Sequence, residues 1–332
     1  MINAAIVGLG RWGKRLSGFV AGSERIRFVR GVEPNPSAVD GFSETCGFPI
    51  STSYAEALAD AQVDAVVLAT PHSKHEEQIE AAAAAGKHVF CEKPLALSRA
   101  SAERSVARCR EANLVLGIGH ERRFEPPLAE VLRMAREGEL GTILHIESNF
   151  SHNRLLKFDP SNWRLSTSEA PAGNMTATGI HILDLATAML GPASSAKVVC
   201  ERLASDLAIG DTTTALVHFK SGATAVVTSI LVTPFISRLA IFGSKGWIEI
   251  RDKAHMELPA GWLVTKCFAE GKLDETEAPG FNSPRANLEA FAMAVEGEAP
   301  YPISTDEMIA NTAIMEAIFR SAASGREEVV PS

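Results

Sequence analysis

Apolar and polar positions follow two different rhythms along the 332 residues, and the change falls near residue 122. Before it, short apolar runs alternate with segments of helical spacing. Ile2–Val7 is an apolar run ending at Gly8, and Arg11–Ala21 follows with helical character. Ile26–Val32 reads as the next strand and leads into Glu33-Pro34-Asn35-Pro36, which must turn. Tyr54–Ala59 reads as helix. Asp64–Ala69 is almost continuously apolar, as expected where both faces of a parallel strand are covered. His75–Ala85 is an alanine-rich helix stopped by Gly86. Lys87–Cys91, Arg99–Asn113 and Leu114–Ile118 read as strand, helix and strand. This alternation predicts a doubly wound α/β domain with a parallel sheet over residues 1–121.

From residue 122 onward strands dominate. A helix over Leu128–Arg136 closes on Glu139-Leu140-Gly141. Strands are predicted at Ile143–Phe150, Lys197–Arg202, Thr212–Lys220, Ala223–Val232, Arg238–Phe242 and Trp247–Arg251. Ser221-Gly222 is a turn signal that joins two of them as a hairpin. Thr178–Leu190 is a helix within this half, and Arg285–Glu296 and Thr305–Ser324 are closing helices. The pattern predicts a second, α+β domain over residues 122–332 with a largely antiparallel open sheet. No internal repeat or low-complexity segment interrupts it.

Composition narrows the function classes. With 46% hydrophobic and 22% charged residues the chain has globular composition. Its net charge is −8 and no Lys/Arg cluster stands out, which argues against a nucleic-acid partner. The five cysteines (Cys46, Cys91, Cys109, Cys200, Cys267) are scattered and never spaced as C-x-x-C. That suits a reducing cytoplasm better than a disulfide framework or structural zinc. Met1–Val7 reads as a buried strand rather than a signal peptide, and no apolar run is long enough to span a bilayer.

Gly8-Leu9-Gly10-Arg11-Trp12-Gly13 matches G-x-G-x-x-G in the context that gives the motif meaning. It follows a buried strand, opens a helix, and is followed by an acid twenty residues after Gly13, at Glu33. Gly8 permits the tight turn, Gly10 lets a pyrophosphate approach the backbone, and Gly13 allows close helix–strand packing. The helix N-terminus offers N–H groups and a positive dipole to phosphates. Arg11 and Trp12 are candidates to line the cofactor, with exposure and packing as the plainer readings. The Glu33 carboxylate suits the adenosine ribose hydroxyls and would repel the 2′-phosphate of NADP. NAD is therefore the expected cofactor, with NADP still open because loop geometry beyond Glu33 can admit it.

Ligands of open α/β sheets bind beyond the carboxyl ends of the strands. Thr70-Pro71-His72 and Glu92-Lys93-Pro94 both fall at such ends. A lysine in a partly dry cleft beside the positive ring of an oxidised nicotinamide releases its proton more readily. Lys93 is thus suited to exchange a proton with an alcohol or carbonyl oxygen while hydride moves. The plainer reading is a surface lysine. His72 and His75 have no third ligand at convincing spacing, so no metal is expected.

With these pieces in this order the chain resembles the Gfo/Idh/MocA family, that of glucose–fructose oxidoreductase and inositol dehydrogenase. The resemblance covers essentially the whole chain. It rests on Gly8–Gly13, on Gly86–Leu95 with Glu92-Lys93-Pro94, on Arg122-Arg123-Phe124, and on Gly179-Ile180-His181-Ile182-Leu183-Asp184. It implies that Lys93 is the catalytic lysine, that Glu92 helps position the site, and that a cis peptide precedes Pro94. It also implies that His75 lies near the cofactor and that His181 contacts a substrate oxygen and assists proton transfer. The family's second domain commonly forms homodimers or homotetramers through the outer face of its sheet. Many sugar and inositol dehydrogenases of the family carry an aspartate four residues before this histidine, where this chain has Ala177. A lysine–aspartate–histidine relay is not available as usually drawn. Either Lys93 and His181 suffice, with Thr176 or Thr178 holding the substrate, or the chemistry differs.

Other candidates depend on where the chain folds. Asp184 lies three residues after His181 on one helical face and either orients it or bonds elsewhere. His120 and Arg123 are candidates for the cofactor, or for packing and pairing with an acid. Asn153, Arg154, Trp163 and Arg164 fall in a long polar and aromatic stretch of the kind that lines binding sites. The expected activity is NAD(P)-dependent hydride transfer to or from a secondary alcohol or carbonyl of a sugar, polyol or cyclic diol. The substrate is placed between the nicotinamide and the second domain's sheet. Two alternatives stand beside it: a glycosidase-type enzyme that recycles tightly held NAD, and a dinucleotide-sensing regulator. Retention of Glu92-Lys93-Pro94 with His181 argues against the regulator.

Overall fold

A computed structural model describes residues 1–331 except 256, 259 and 269. The chain divides into two compact units, Met1–Glu121 with Asn282–Ile309, and Arg122–Phe281 with Ala310–Ser332. The first unit contains β1 (Ile2–Val7), α1 (Arg11–Val20), β2 (Ile26–Val32), β3 (Ile50–Ser51) and α2 (Tyr54–Ala59). It continues with β4 (Ala65–Leu68), α3 (His75–Ala84), β5 (His88–Cys91), α4 (Arg99–Glu111) and β6 (Leu116–Ile118). The six strands form one parallel sheet in the order β3-β2-β1-β4-β5-β6. Every residue of β4 is buried, which is why its sequence reads as an unbroken apolar run. Strand order reverses between β1 and β4, and such a reversal opens a crevice beyond the carboxyl ends of the strands.

The second unit contains α5 (Pro126–Arg136), β7 (Ile143–Ser151), α6 (Gly179–Leu190), β8 (Ala193–Glu201), β9 (Thr212–Phe219) and β10 (Thr224–Ile230). After β11 (Ile236–Gly243), β12 (Gly246–Asp252), β13 (Trp262–Phe268) and β14 (Leu273–Ala278) come α7 (Ser283–Val295), α8 (Thr305–Ser324) and β15 (Glu328–Val329). The nine-stranded sheet runs β14-β13-β12-β11-β7-β10-β9-β8-β15 and is antiparallel except where β7 meets β10. β9 shows the expected period of two, with Thr213, Ala215, Val217 and Phe219 buried and Leu216 and His218 on the other face. The inner face packs in one core with α6, whose residues Gly179–Thr187 are all buried. α6 therefore carries His181 and Asp184 in a helix with almost no polar surface. β13 and β14 are not among the predicted strands. β14 is an exposed edge strand, Leu-Asp-Glu-Thr-Glu-Ala, whose charges suit an edge but hide any apolar period.

α7 belongs with the first unit, although the sequence places a single boundary near residue 121. Leu288, Phe291 and Ala292 are part of the first unit's core. The Phe291 ring meets Phe90 edge-on at 5.6 Å, over a space left by Gly117, where a Cβ would lie 2.8 Å from Phe291. Asn287 Nδ2 and Tyr301 Oη each donate to the Ile118 carbonyl at 2.9 Å, and Arg285 Nε donates to Phe19 O at 2.7 Å. Nothing local in the sequence tells which sheet a late helix will cover.

A buried cluster of charges lies in the second unit between α5 and β12. Arg122 donates through Nη2 to Glu125 at 3.2 Å and to both Asp252 oxygens at 3.0 and 2.9 Å, and through Nη1 to Ser237 at 3.1 Å. One guanidinium thus faces two carboxylates. Burial, together with the Asp252 charge, pushes the Glu125 carboxyl up to about 8 against the pull of Arg122. The folded state then holds a proton that the unfolded chain releases near the ordinary glutamate value of 4.5. This contribution to stability is full below that value and is lost as pH rises towards about 8. Denaturant melts on either side of the window should show the loss in the wild type, and Glu125→Gln should flatten it. An unchanged pH dependence in Glu125→Gln would place the proton elsewhere.

Candidate active site

The glycine-rich turn joins β1 to α1. Gly8 has φ of 89°, and a Cβ there would lie 2.8 Å from the Ala69 carbonyl oxygen at the end of β4. A Cβ on Gly13 would collide with the Gly8 carbonyl oxygen. These two glycines are required by the protein itself. Gly10 differs: it is exposed, and a Cβ there would meet nothing within 4 Å. Space at Gly10 is what a pyrophosphate lying on the backbone needs, and no side chain caps the N-terminus of α1. The turn therefore fits a dinucleotide. Gly10→Ala should leave the melting temperature near wild type and weaken NAD binding, whereas Gly13→Ala should lower both. Parallel thermal melts and NAD titrations would separate them, and a destabilised Gly10→Ala would contradict this division.

Glu33 follows β2 and turns back onto the loop, where Oε2 accepts from Leu9 N at 2.9 Å and Oε1 from Asn35 N at 3.1 Å. The acid and the glycine turn are thus brought together. Arg11 is exposed. Trp12 is half-buried, with its ring edge-on to Phe19 at 6.1 Å.

At the carboxyl end of β5, Glu92 N donates to Leu68 O at 2.9 Å and extends the ladder with β4. Glu92 is only 7% exposed, and its Oε2 accepts from Lys93 N at 3.3 Å. Lys93 is half-buried, and the Lys93–Pro94 peptide is cis. His75 opens α3 and is fully buried. Its Nδ1 lies 2.8 Å from Pro94 O and its Nε2 3.2 Å from Thr70 O. The ring spans the segments after β4 and β5 and so holds the lysine segment in place. Thr70 Oγ1 donates to Gln78 Oε1 at 2.5 Å, and Pro71 precedes the 3₁₀ turn His72–Lys74. His72 is half-buried and meets His75 edge-on at 5.9 Å. His120, just beyond β6, is buried.

In the second unit, Arg123 and Asp184 form a bidentate pair, Nε to Oδ2 at 2.6 Å and Nη2 to Oδ1 at 2.7 Å. Paired geometry of this kind is stronger than a single bond to a neighbouring imidazole. Arg123 thus pairs with an acid, and Asp184 accepts both arms of its guanidinium. His181 is buried in the first turn of α6, and its N–H donates to Thr178 O at 3.2 Å. The Thr178 hydroxyl is engaged by Asn174, Ser229 and the Phe150 carbonyl, at 3.0, 2.7 and 3.1 Å. It fixes the start of α6 on the end of β7. The Thr176 hydroxyl is buried without a hydrogen-bond partner among the described residues.

Residues 152–178 form a folded loop over a small apolar cluster of Leu155, Leu165, Ala170, Ile209 and Leu231. Asn153 is exposed, and the Arg164 guanidinium lies over the Trp163 ring at 4.0 Å. Arg154 Nη1 pairs with the buried Glu257 at 2.9 Å, and the His152 and His255 rings meet edge-on at 5.3 Å. Sequence reasoning did not include Glu257, His152 or His255. β11 lies between β7 and β12 and runs antiparallel to both. The chain therefore leaves β7 and β12 at the same end of the sheet, bringing together residues about a hundred positions apart. Only the strand order carries that signal.

Comparison with known proteins agrees with this arrangement. Residues 2–120 match the Gfo/Idh/MocA oxidoreductase family, NAD-binding Rossmann fold, and residues 128–249 match the Gfo/Idh/MocA C-terminal domain. The chain is 26% identical to inositol 2-dehydrogenase of Rhizobium meliloti, over 98% of each chain. It is 30% identical to 1,5-anhydro-D-fructose reductase of Ensifer adhaerens, over 83% of this chain and 82% of the other. The crystal structure of aldose–aldose oxidoreductase from Caulobacter crescentus, complexed with glycerol, superposes with a TM-score of 0.86 at 27% identity, over 99% of each chain. The two matched domains, the full-length relatives and the dinucleotide turn agree: the chain belongs to the Gfo/Idh/MocA family and is an NAD-binding oxidoreductase.

Proposed function

We propose that this protein oxidises a secondary alcohol of a sugar, polyol or cyclic diol, or reduces the matching carbonyl, with Lys93 as proton acceptor or donor. The observation that carries the reading is the lysine segment at the carboxyl end of β5, two strands from the glycine turn. There Glu92 and His75 hold the backbone on either side of Lys93. Bound NAD supplies the acceptor for the hydride that leaves the carbinol carbon. Lys93 takes the hydroxyl proton as that happens, and returns it in the reductive direction. In the second unit, His181, held in a buried helix start, is the residue proposed to polarise a substrate oxygen. Arg154, Trp163 and Arg164 offer a stacking face and donors to a hydroxylated ring, with Asn153 at its exposed edge. The first unit serves as the dinucleotide-binding domain and the second as the substrate-binding and oligomerisation domain. Glu33 favours NAD over NADP by its charge.

The outer face of the nine-stranded sheet supports a homodimer or homotetramer. Leu216 lies opposite Val226 there, and Phe242 opposite Trp247, all at least partly open to solvent. Free cysteines suit a cytoplasmic setting. The reading is tested by nicotinamide absorbance with NAD or NADP and a panel of myo-inositol, aldoses, 1,5-anhydroglucitol and cyclic diols. Net reduction with one class names substrate and cofactor together. Glycoside cleavage without net reduction would favour the NAD-recycling alternative, and binding without turnover in either direction would favour a sensor.

A further inference from the structure

We propose that Gly119 is a positioning residue for Lys93, acting through the carboxylate of Glu92. The inference rests on the reading of Lys93 as the proton-transfer group. Gly119 follows β6, and its N–H donates to Cys91 O at 2.9 Å, extending the β5–β6 ladder by one residue. This sets the Gly119 Cα beside Glu92. A Cβ on Gly119 would lie 2.6 Å from Glu92 Oε2, 2.7 Å from Cδ and 2.7 Å from Oε1. Its three nearest neighbours would all be carboxylate atoms, so the carboxylate lies across the bare Cα. Gly119 is not among the glycines of positive φ, so the backbone there does not require glycine. Only the space does.

Gly117, within β6 itself, behaves differently. A Cβ on Gly117 would meet the Phe291 and Phe90 rings, so that glycine serves the packing of the core. Gly119 serves a charged group instead. Glu92 is almost fully buried, and its Oε2 accepts from the N–H of Lys93. A charge-assisted bond to a peptide N–H fixes the orientation of that peptide. Gly119 thus sets where the carboxylate lies, the carboxylate holds the Glu92–Lys93 peptide, and the peptide aims the lysine side chain. An added methyl group would displace the flexible end of Glu92 rather than the sheet, so the fold should survive while the lysine is re-aimed.

The test compares Gly119→Ala, Glu92→Asp and the double variant with wild type. Readouts are kcat on the substrate found with the panel, NAD affinity by calorimetry, and the pH dependence of Lys93 acetylation by acetic anhydride, followed by mass spectrometry. Gly119→Ala should lose roughly 10²-fold in kcat, the scale of an ångström-sized misplacement, with NAD affinity unchanged and the acetylation profile displaced. Adding Glu92→Asp withdraws the carboxylate by one methylene and should recover a large part of both losses. The proposal is overturned if Gly119→Ala keeps wild-type kcat and acetylation, or if Glu92→Asp recovers neither. Should Gly119→Ala fail to fold, folding of the double variant would support the carboxylate clash, and its failure would overturn it. Lys93→Ala run alongside separates the two ideas. Undiminished turnover there removes the lysine from the chemistry, while the acetylation profile of Gly119→Ala still judges the positioning.

Discussion

Replacing Lys93 by alanine is expected to lower kcat by roughly 10²–10⁴-fold, the range for loss of a positioned general acid or base, with NAD affinity nearly intact. The two quantities separate because different parts of the first unit carry them. Dinucleotide phosphates are proposed to meet the open backbone at Gly10 and the uncapped start of α1, and the ribose to meet Glu33 after β2. Lys93 belongs to neither group; it follows β5 and is held by the Glu92 carboxylate and, through Pro94, by His75. Truncation removes the proposed proton acceptor without touching the turn. Stopped-flow or steady-state kinetics with a calorimetric NAD titration would check it. Near-wild-type kcat would exclude Lys93 as the proton acceptor, and a parallel loss of NAD affinity would mean that the lysine binds cofactor instead.

Arg123→Met is expected to destabilise the protein by about 3–5 kcal/mol, the usual result of stripping one partner from a buried ion pair. Asp184 is almost fully buried on α6 and accepts both arms of the guanidinium. Without Arg123 the buried carboxylate loses two charge-assisted bonds that offset its desolvation. Replacing both residues, Arg123→Met with Asp184→Leu, should recover most of the loss, because the desolvation penalty disappears with the charges. Urea unfolding of the two variants measures both effects. A single variant within about 0.5 kcal/mol of wild type, the range of ordinary surface substitutions, would show that the pair is not isolated from solvent.

How legible the protein is in its sequence depends on how local each determinant is. The β1–turn–α1 unit, Glu33 and the Glu92-Lys93-Pro94 segment are legible because each acts within a few residues or at a fixed distance from a strand end. The apolar run of β4 and the period of two in β9 likewise report burial directly. Arg123 with Asp184, Arg154 with Glu257, and His152 with His255 are pairs between distant segments. For these, residue type says that a partner is needed, and topology alone says which one. Thr178 shows the same limit, since its hydroxyl looks free in sequence but meets Ser229, fifty-one residues further on, across the end of β7. The edge strand β14 was hidden because solvent on both faces removes the pattern that strands are read from.

The return of α7 to the first unit has a consequence for how the protein is made. Synthesis runs from the N-terminus, and all six strands of the parallel sheet have left the ribosome well before Phe291 is added. Until then the space over Gly117 and Phe90 has no occupant, and the carbonyl of Ile118 lacks the amide and phenol that later satisfy it. The whole stretch Arg122–Phe281 is translated in between. The half of the enzyme that grips the dinucleotide is thus begun first and finished late, and its nascent sheet must wait with an aromatic-lined gap. A ribosome that stalls after the glycine turn and the lysine have emerged releases a chain with its chemistry in sequence but its core unsealed.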